Sequence, residues 1–268
     1  MSHLGINILR MPMNKKLSAD ENSQPDNTPK RKSVFREYTE SILVALFVAL
    51  LLRVSVVQAY HVPTGSMKDT ILAGDYLLVN KFIYGIRTPD EIPIIDVQLP
   101  HFRLPAIKDP KPGEIVVFKF PPDPTQNYVK RCIAREGQTV EVRQGLAYID
   151  GKPEGRLELI GKVWDEEERS DLLSYRITRD DGKSYIIRHY SNHNIQAERM
   201  DPVVVPQGHY FMMGDNRDNS YDSRSWGFVP RENVVGEAMF VYWSSIANLP
   251  FHDIMHKIRW SRIGTLLD

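Results

Sequence analysis

Apolar and polar positions are spread very unevenly along this chain. Residues 1 to about 37 are polar and mixed in charge, with Asn22 to Pro29 at their centre, and this composition predicts a disordered tail. A membrane-grade apolar run follows from about Tyr38 to Ala59, and Ile42 to Leu52 carries no charge. At ~1.5 Å per residue, about 20 residues cross a bilayer core, so the pattern predicts one transmembrane helix over 38–59. Arg53 has to snorkel to the interface or contact protein. Lys30, Arg31, Lys32 and Arg36 precede the run, which puts the tail in the cytoplasm and residues 60–268 outside. A cleavable secretion signal is the rival reading. The charged tail is long for one, and no A-x-A-like site follows convincingly.

Beyond the run the period shortens to that of strands. Asp75 to Tyr84, Glu114 to Phe120, Tyr128 to Arg135, Val203 to Met213 and Glu237 to Trp243 read as β-rich segments bounded by Gly and Pro. Thr139 to Asp150 reads as a hairpin around Gln144-Gly145, and Tyr175 to Tyr190 as one around Asp181-Gly182. Residues 86–111 are proline-rich and read as a long surface loop. The expected class is mostly β, with antiparallel sheets after a single N-terminal helix.

Composition narrows the function classes. Lysine plus arginine equals aspartate plus glutamate, 34 each, so nothing points to nucleic acid. The single cysteine, Cys132, excludes an intramolecular disulfide and any multi-cysteine zinc site. His189/His193 and His252/His256 are spaced four apart, but neither pair carries the Glu of H-E-x-x-H, and the first pair falls at the end of a strand rather than on a helix. No metal and no cofactor are expected.

Three segments can carry chemistry. Pro63-Thr64-Gly65-Ser66-Met67 places a hydroxyl shortly after the apolar run. A serine hydroxyl becomes a good nucleophile only when a base takes its proton. Lys130, in Tyr128-Val129-Lys130-Arg131, can be that base if burial makes the amine neutral. Strand alternation puts Lys130 and Cys132 on one face. Thr64 offers a second hydroxyl for a developing oxyanion. Gly214 to Arg224 is dense in Asp, Asn, Ser and Arg. It fails as a calcium loop, because Arg217, Ser220 and Trp226 stand where a ligand, the glycine and the last glutamate belong. Residue chemistry then allows either an ordinary Asx-turn loop or a buried platform with Asp222 and Arg224 paired and Ser220 aimed at the lysine.

The three segments resemble the signature boxes of bacterial type I signal peptidase, in order and spacing. Gly214 to Arg224 is similar to that family's G-D-N-R-D-N-S-x-D-S-R, and Trp226 to Pro230 continues it. Gly74 to Phe82 and Gly113 to Phe118 resemble its core strands, and Ile258 to Gly264 resembles the tail of Gram-negative members. The resemblance implies Ser66 as nucleophile and Lys130 as general base. It implies Ser220 as the group orienting the lysine, and Thr64 with the Ser66 amide as the oxyanion hole. Asp222, Arg224, Arg131 and Asp215 become supports. Met67 and Ile133 are candidates for the substrate pockets by proximity. The chain departs from the pattern at Thr64, at Asp69 (usually proline) and in the turn 134–138.

The domain organisation expected is a tail over 1–37, the membrane helix over 38–59, a catalytic β domain from 60–138 and 206–268, and a variable β subdomain over 139–205. The expected activity is removal of signal peptides from secretory preproteins at Ala-x-Ala-like sites. This places the chain in the bacterial inner membrane with a periplasmic catalytic domain. The lipid bilayer is a partner, and the translocation machinery a further candidate. The alternatives are a dedicated pilin or conjugation-factor peptidase of the same family, or an inactive tethered β module.

Overall fold

The computed structural model describes residues 37–46, 57–85, 103–194, 197–246 and 254–267. Residues 37–46 form a helix, α1, with Ile42, Leu43, Val44 and Leu46 all more than half exposed. Among the described residues no helix is long and apolar enough to cross a membrane. The expected span continues through 47–56, outside the described residues. Its expected end at Ala59 is corrected, because Val57–His61 is a strand, β1. Alternation and β-branching favour pairing there over a further helical turn, and β1 runs antiparallel to β2 (Asp75–Asn80), Val57 opposite Asn80 and His61 opposite Tyr76.

The remaining strands are antiparallel too. They are β3 (Ile115–Phe120), β4 (Asp123–Arg135), β5 (Thr139–Arg143), β6 (Leu146–Ile149), β7 (Lys152–Pro153), β8 (Arg156–Asp165), β9 (Ser170–Thr178), β10 (Ser184–Tyr190), β11 (Arg199–Val204), β12 (His209–Met213), β13 (Val229–Pro230) and β14 (Val234–Ser244). A seven-stranded sheet has the order β1-β2-β14-β3-β4-β12-β13. Residues 139–204 supply two further sheets, β11-β5-β6-β7 and β10-β9-β8. Two short helices, α2 (Ser223–Trp226) and α3 (Ile254–Lys257), complete the set.

Both expected hairpins form. Gln144 and Gly145 have φ of 52° and 73°, the left-handed pair that a two-residue turn between right-twisted strands requires. The run Val203 to Met213, expected as one strand, divides into β11 and β12 in different sheets. Pro206 and Gly208 account for the break, since proline cannot donate to a ladder and Gly208 takes φ 69°. Strand β8 was not expected. Its sequence mixes charges with Leu157, Leu159, Ile160, Val163 and Trp164, which stay exposed on a sheet edge, so burial does not impose a clean alternation.

The core under the large sheet gathers Val62, Met67, Ile71, Leu77, Val79, Ile115, Val117 and Val241. A second cluster holds Val116, Phe118, Cys132, Tyr210, Met212 and Val229, and a third Ile133, Ala134, Val140, Val142 and Phe211. β4 contributes to the second and third of these, so Lys130 to Ala134 is buried on both strand faces.

Candidate active site

Ser66 is held from both sides. After β1 the chain turns, with Lys68 N–H donating to Gly65 O at 3.1 Å and Ile71 N–H to Met67 O at 2.7 Å. Met67 and Ile71 are fully buried in the core, and they pin the turn that carries Ser66. From the opposite side the Asn216 N–H donates to Ser66 O at 3.1 Å, and Asn216 Nδ2 to Gly65 O at 3.2 Å. Gly214 packs so tightly that a Cβ there would meet Ser66 O at 2.4 Å and Ser220 Oγ at 2.3 Å. A glycine is therefore needed for close approach rather than for a left-handed turn.

Lys130 lies on β4 between β3 and β12, opposite Val116, and only 4% of it is exposed. Its Nζ is 2.5 Å from Ser66 Oγ, a contact between groups 64 positions apart. Burial pushes the Lys130 amine down to about 8 from 10.5; Asp222 and Asp215 oppose the shift, and Arg224 adds to it. A proton on this amine has no carboxylate in direct contact, so losing it is the cheapest way to relieve desolvation. Once neutral, the amine presents a lone pair to the Ser66 hydroxyl, which then donates to it.

The family model described as "Signal peptidase, peptidase S26" matches residues 35–243, which include Ser66, Lys130 and the whole of 214–224. The chain belongs to this family. The signal peptidase I of Pseudomonas aeruginosa is 36% identical over 248 residues, covering 86% of this chain and 78% of that one. That of Aquifex aeolicus is 34% identical over 242 residues, covering 78% of this chain and 84% of that one. A crystal structure of a signal peptidase I from Enterococcus faecalis aligns with 28% identity and a TM-score of 0.29, over 48% of this chain and 97% of that one. The family match and these curated relatives make it a peptidase, a hydrolase of peptide bonds.

The other expected signal peptidase residues divide by position. Arg131 and Asp215 form a two-pronged pair, Nε to Oδ1 at 2.9 Å and Nη2 to Oδ2 at 2.7 Å, with both side chains 1% exposed. Thr70 Oγ1 donates to Asp215 Oδ2 at 2.5 Å, and the Arg131 guanidinium lies 3.9 Å from the centre of the Tyr185 ring. Asp222 and Arg224 pair likewise, at 2.9 and 2.8 Å, and Asp222 also caps α2 through the Arg224 N–H. Burial alone would raise the Asp222 carboxyl, but Arg224 and the Gly214 N–H bring it below its usual value. Ser220 Oγ is buried beside Gly214 and makes no hydrogen bond in this geometry, to Lys130 or to any other group among the described residues.

A cleft of about 630 Å³ opens onto Ser66 and Lys130. Its walls come from β1, the Pro63–Gly65 turn and residues 126–130 of β4, and Thr64 is exposed along it. Met67 and Ile133 are elsewhere, buried in two of the cores, and neither lines the cleft. The aliphatic side chains of the lining include Val62, Leu77, Val117 and Val129, joined by the rings of Tyr60, Tyr128 and Tyr221. Sequence proximity misleads here because the side chain after Ser66 turns inward to anchor the turn.

Sequence reasoning missed the clamp between the first signature box and strands β8 and β10. Lys68 Nζ contacts Asp165 at 2.7 Å and Glu167 at 2.9 Å. Arg188 grips Asp69 with two prongs and reaches Asp165 at 3.1 Å. Asp69 stands at φ 77°, a conformation closed to proline, whose ring fixes φ near about −65°. The departure from the family's proline was the legible signal. A carboxylate tolerates the left-handed region better than most side chains, and here it also finds a cation.

Proposed function

We propose that this signal peptidase cleaves preproteins through an acyl-enzyme formed on Ser66, with neutral Lys130 as general base. The observation that carries the reading is a buried amine, depressed to about 8, in contact with Ser66 Oγ at 2.5 Å. The proton of Ser66 passes to Lys130 Nζ as Oγ attacks the scissile carbonyl. The ammonium then returns a proton to the leaving amine, and a water deprotonated by Lys130 releases the acyl group. Thr64 and Ser66 both line the cleft, which supports the Thr64 hydroxyl and the Ser66 N–H as donors to the oxyanion. Ser220, Asp222, Arg224, Arg131 and Asp215 act by position, holding the loop that buries the lysine.

The cleft supports the substrate class. Val62, Leu77, Val117 and Val129 leave shallow apolar room, suited to alanine-sized side chains of an extended peptide near the cut. Membrane attachment through the apolar run that precedes β1, with the N-terminus cytoplasmic, follows from that run and its basic flank. From Val57 to Ser66 the chain reaches at most ~30 Å, so such an anchor keeps the nucleophile near the bilayer surface. A preprotein tethered by its signal and threaded from the translocation machinery presents its cleavage site at that depth.

The Ser66→Ala variant, purified in detergent, is expected to bind a preprotein with an Ala-x-Ala site and to release no signal peptide. Mass mapping of the wild type after a lactam-type acylating inhibitor should place the adduct on the Ser66 peptide. Turnover by Ser66→Ala at the wild-type rate would remove the assignment. For the wild type, kcat/KM should climb about tenfold per pH unit below about 8 and level off above it, because only the neutral amine accepts the proton. A profile flat between pH 6 and 9 would contradict a lysine base.

A further inference from the structure

His189, His193, Glu198 and Asp218 each bring one donor atom into a common space, all within 4.8 Å of one another. The arrangement is not helical. β10 ends at Tyr190, and the His193 N–H donates to Tyr190 O at 3.0 Å, closing a turn that folds His193 back beside His189 with ring centres 6.4 Å apart. Two histidines four positions apart that share no helix face thus meet through a turn, which the spacing argument did not anticipate. Asp218 arrives from the other side, on the short 3-10 turn Arg217–Asn219. Its two oxygens divide between the rings, Oδ1 to His189 Nδ1 at 2.9 Å and Oδ2 to His193 Nδ1 at 2.8 Å. Glu198 completes the set. Arg224 occupies its Oε1 at 2.9 Å, whereas Oε2 is buried with no hydrogen-bond partner and lies 3.9 Å from His189 Nδ1.

We propose that these four side chains form a site for a divalent first-row transition ion, zinc by preference. Two imidazole nitrogens and two carboxylate oxygens are a borderline donor set that suits zinc far better than calcium or magnesium. Ligands at about 2.0 Å in a tetrahedron lie about 3.3 Å from one another, so donor atoms that now all lie within 4.8 Å of one another have to draw together around an ion. An ion also gives the orphaned Glu198 oxygen a partner, which the surrounding protein does not. Access is provided by a cleft of about 610 Å³ lined by His193, Glu198, Asp218 and Arg224. His193, 39% exposed, lines this cleft, whereas His189, 2% exposed, lies outside its lining.

The site joins two parts of the chain that chemistry must keep in register. Three ligands come from residues 189–198, and the fourth from the segment 214–224, whose Asn216 N–H donates to Ser66 O. A bound ion acts as a staple across that contact, stabilising the arrangement without touching the reacting atoms.

The test is direct binding, independent of peptidase turnover. The full chain in detergent, stripped with a chelator and dialysed, is titrated with zinc chloride, and in parallel with cobalt(II) to follow its visible absorption. One ion per chain is expected, with a rise in Tm on zinc addition. His193→Ala should weaken binding at least tenfold and abolish the Tm rise. Glu198→Gln should weaken it too, and His256→Ala and Ser66→Ala should leave it unchanged. Absence of saturable binding to the stripped protein would overturn the site. So would equal affinity in His193→Ala, or a loss produced by His256→Ala.

Discussion

Lys130→Met is expected to lower kcat/KM for preprotein cleavage by about 10⁴-fold or more while making the protein harder to unfold at neutral pH. The catalytic loss follows from the loss of the base, since removing one member of a nucleophile–base unit costs about as much as removing both. The stability gain follows from proton linkage. The folded protein holds the Lys130 proton at about 8, whereas the unfolded chain holds it at 10.5. Between those values the unfolded state binds more protons, so stability rises with pH across that window. Below about pH 8 the ammonium is present in both states, and the folded state bears the full penalty, at most about 3 kcal/mol. Methionine fills a similar volume without a charge. Urea unfolding at pH 7 should move to higher denaturant in the variant, and the difference should shrink toward zero by about pH 10.5. A variant less stable than wild type at pH 7 would show that the amine is not suppressed by burial, and the base assignment would go with it.

Asp215→Ala should have the largest effect on folding. Arg131 and Asp215 are both 1% exposed and joined by two charge-assisted hydrogen bonds. Removing the carboxylate leaves a guanidinium buried beside Tyr185 without its counter-ion, and breaking a buried pair in this way costs about 3–5 kcal/mol. The backbone consequences reach the active site. Asp215 O accepts from the Arg188 N–H at 2.9 Å, and the next residue, Asn216, donates to Ser66 O. Activity should fall with stability, and both should be lost together on warming. The Arg131→Met/Asp215→Ala double variant should recover part of the loss, because no charge is then buried alone. Denaturant midpoints of the two singles and the double measure the coupling. A double variant as unstable as the sum of the singles would mean that the two residues act independently.

Much of this enzyme is written in local sequence. Apolar alternation between Gly and Pro breaks set the main strands, and Gln144-Gly145 and Asp181-Gly182 set two hairpins, because turn geometry depends on only a few adjacent residues. Ser66 and Lys130 could be proposed as nucleophile and base because their motifs carry the family's pattern. β8 escaped notice, as its exposed edge imposes no period, and the break before β12 was read through because a β-rich run does not say where it changes sheets.

What the chain order could not convey is which distant groups share a space. Met67 follows Ser66 yet points into the core, and Lys130 lies 64 positions from Ser66 yet touches it. The Lys68–Asp165 and Asp69–Arg188 pairs span 97 and 119 positions, and neither partner carries any local mark of the other. Periodicity and turn chemistry are properties of neighbours along the backbone, and the sequence determined them. The depressed amine, the orphaned Glu198 oxygen and the meeting of two histidines with Asp218 depend on desolvation and on approach across three sheets, and only the tertiary fold decided those.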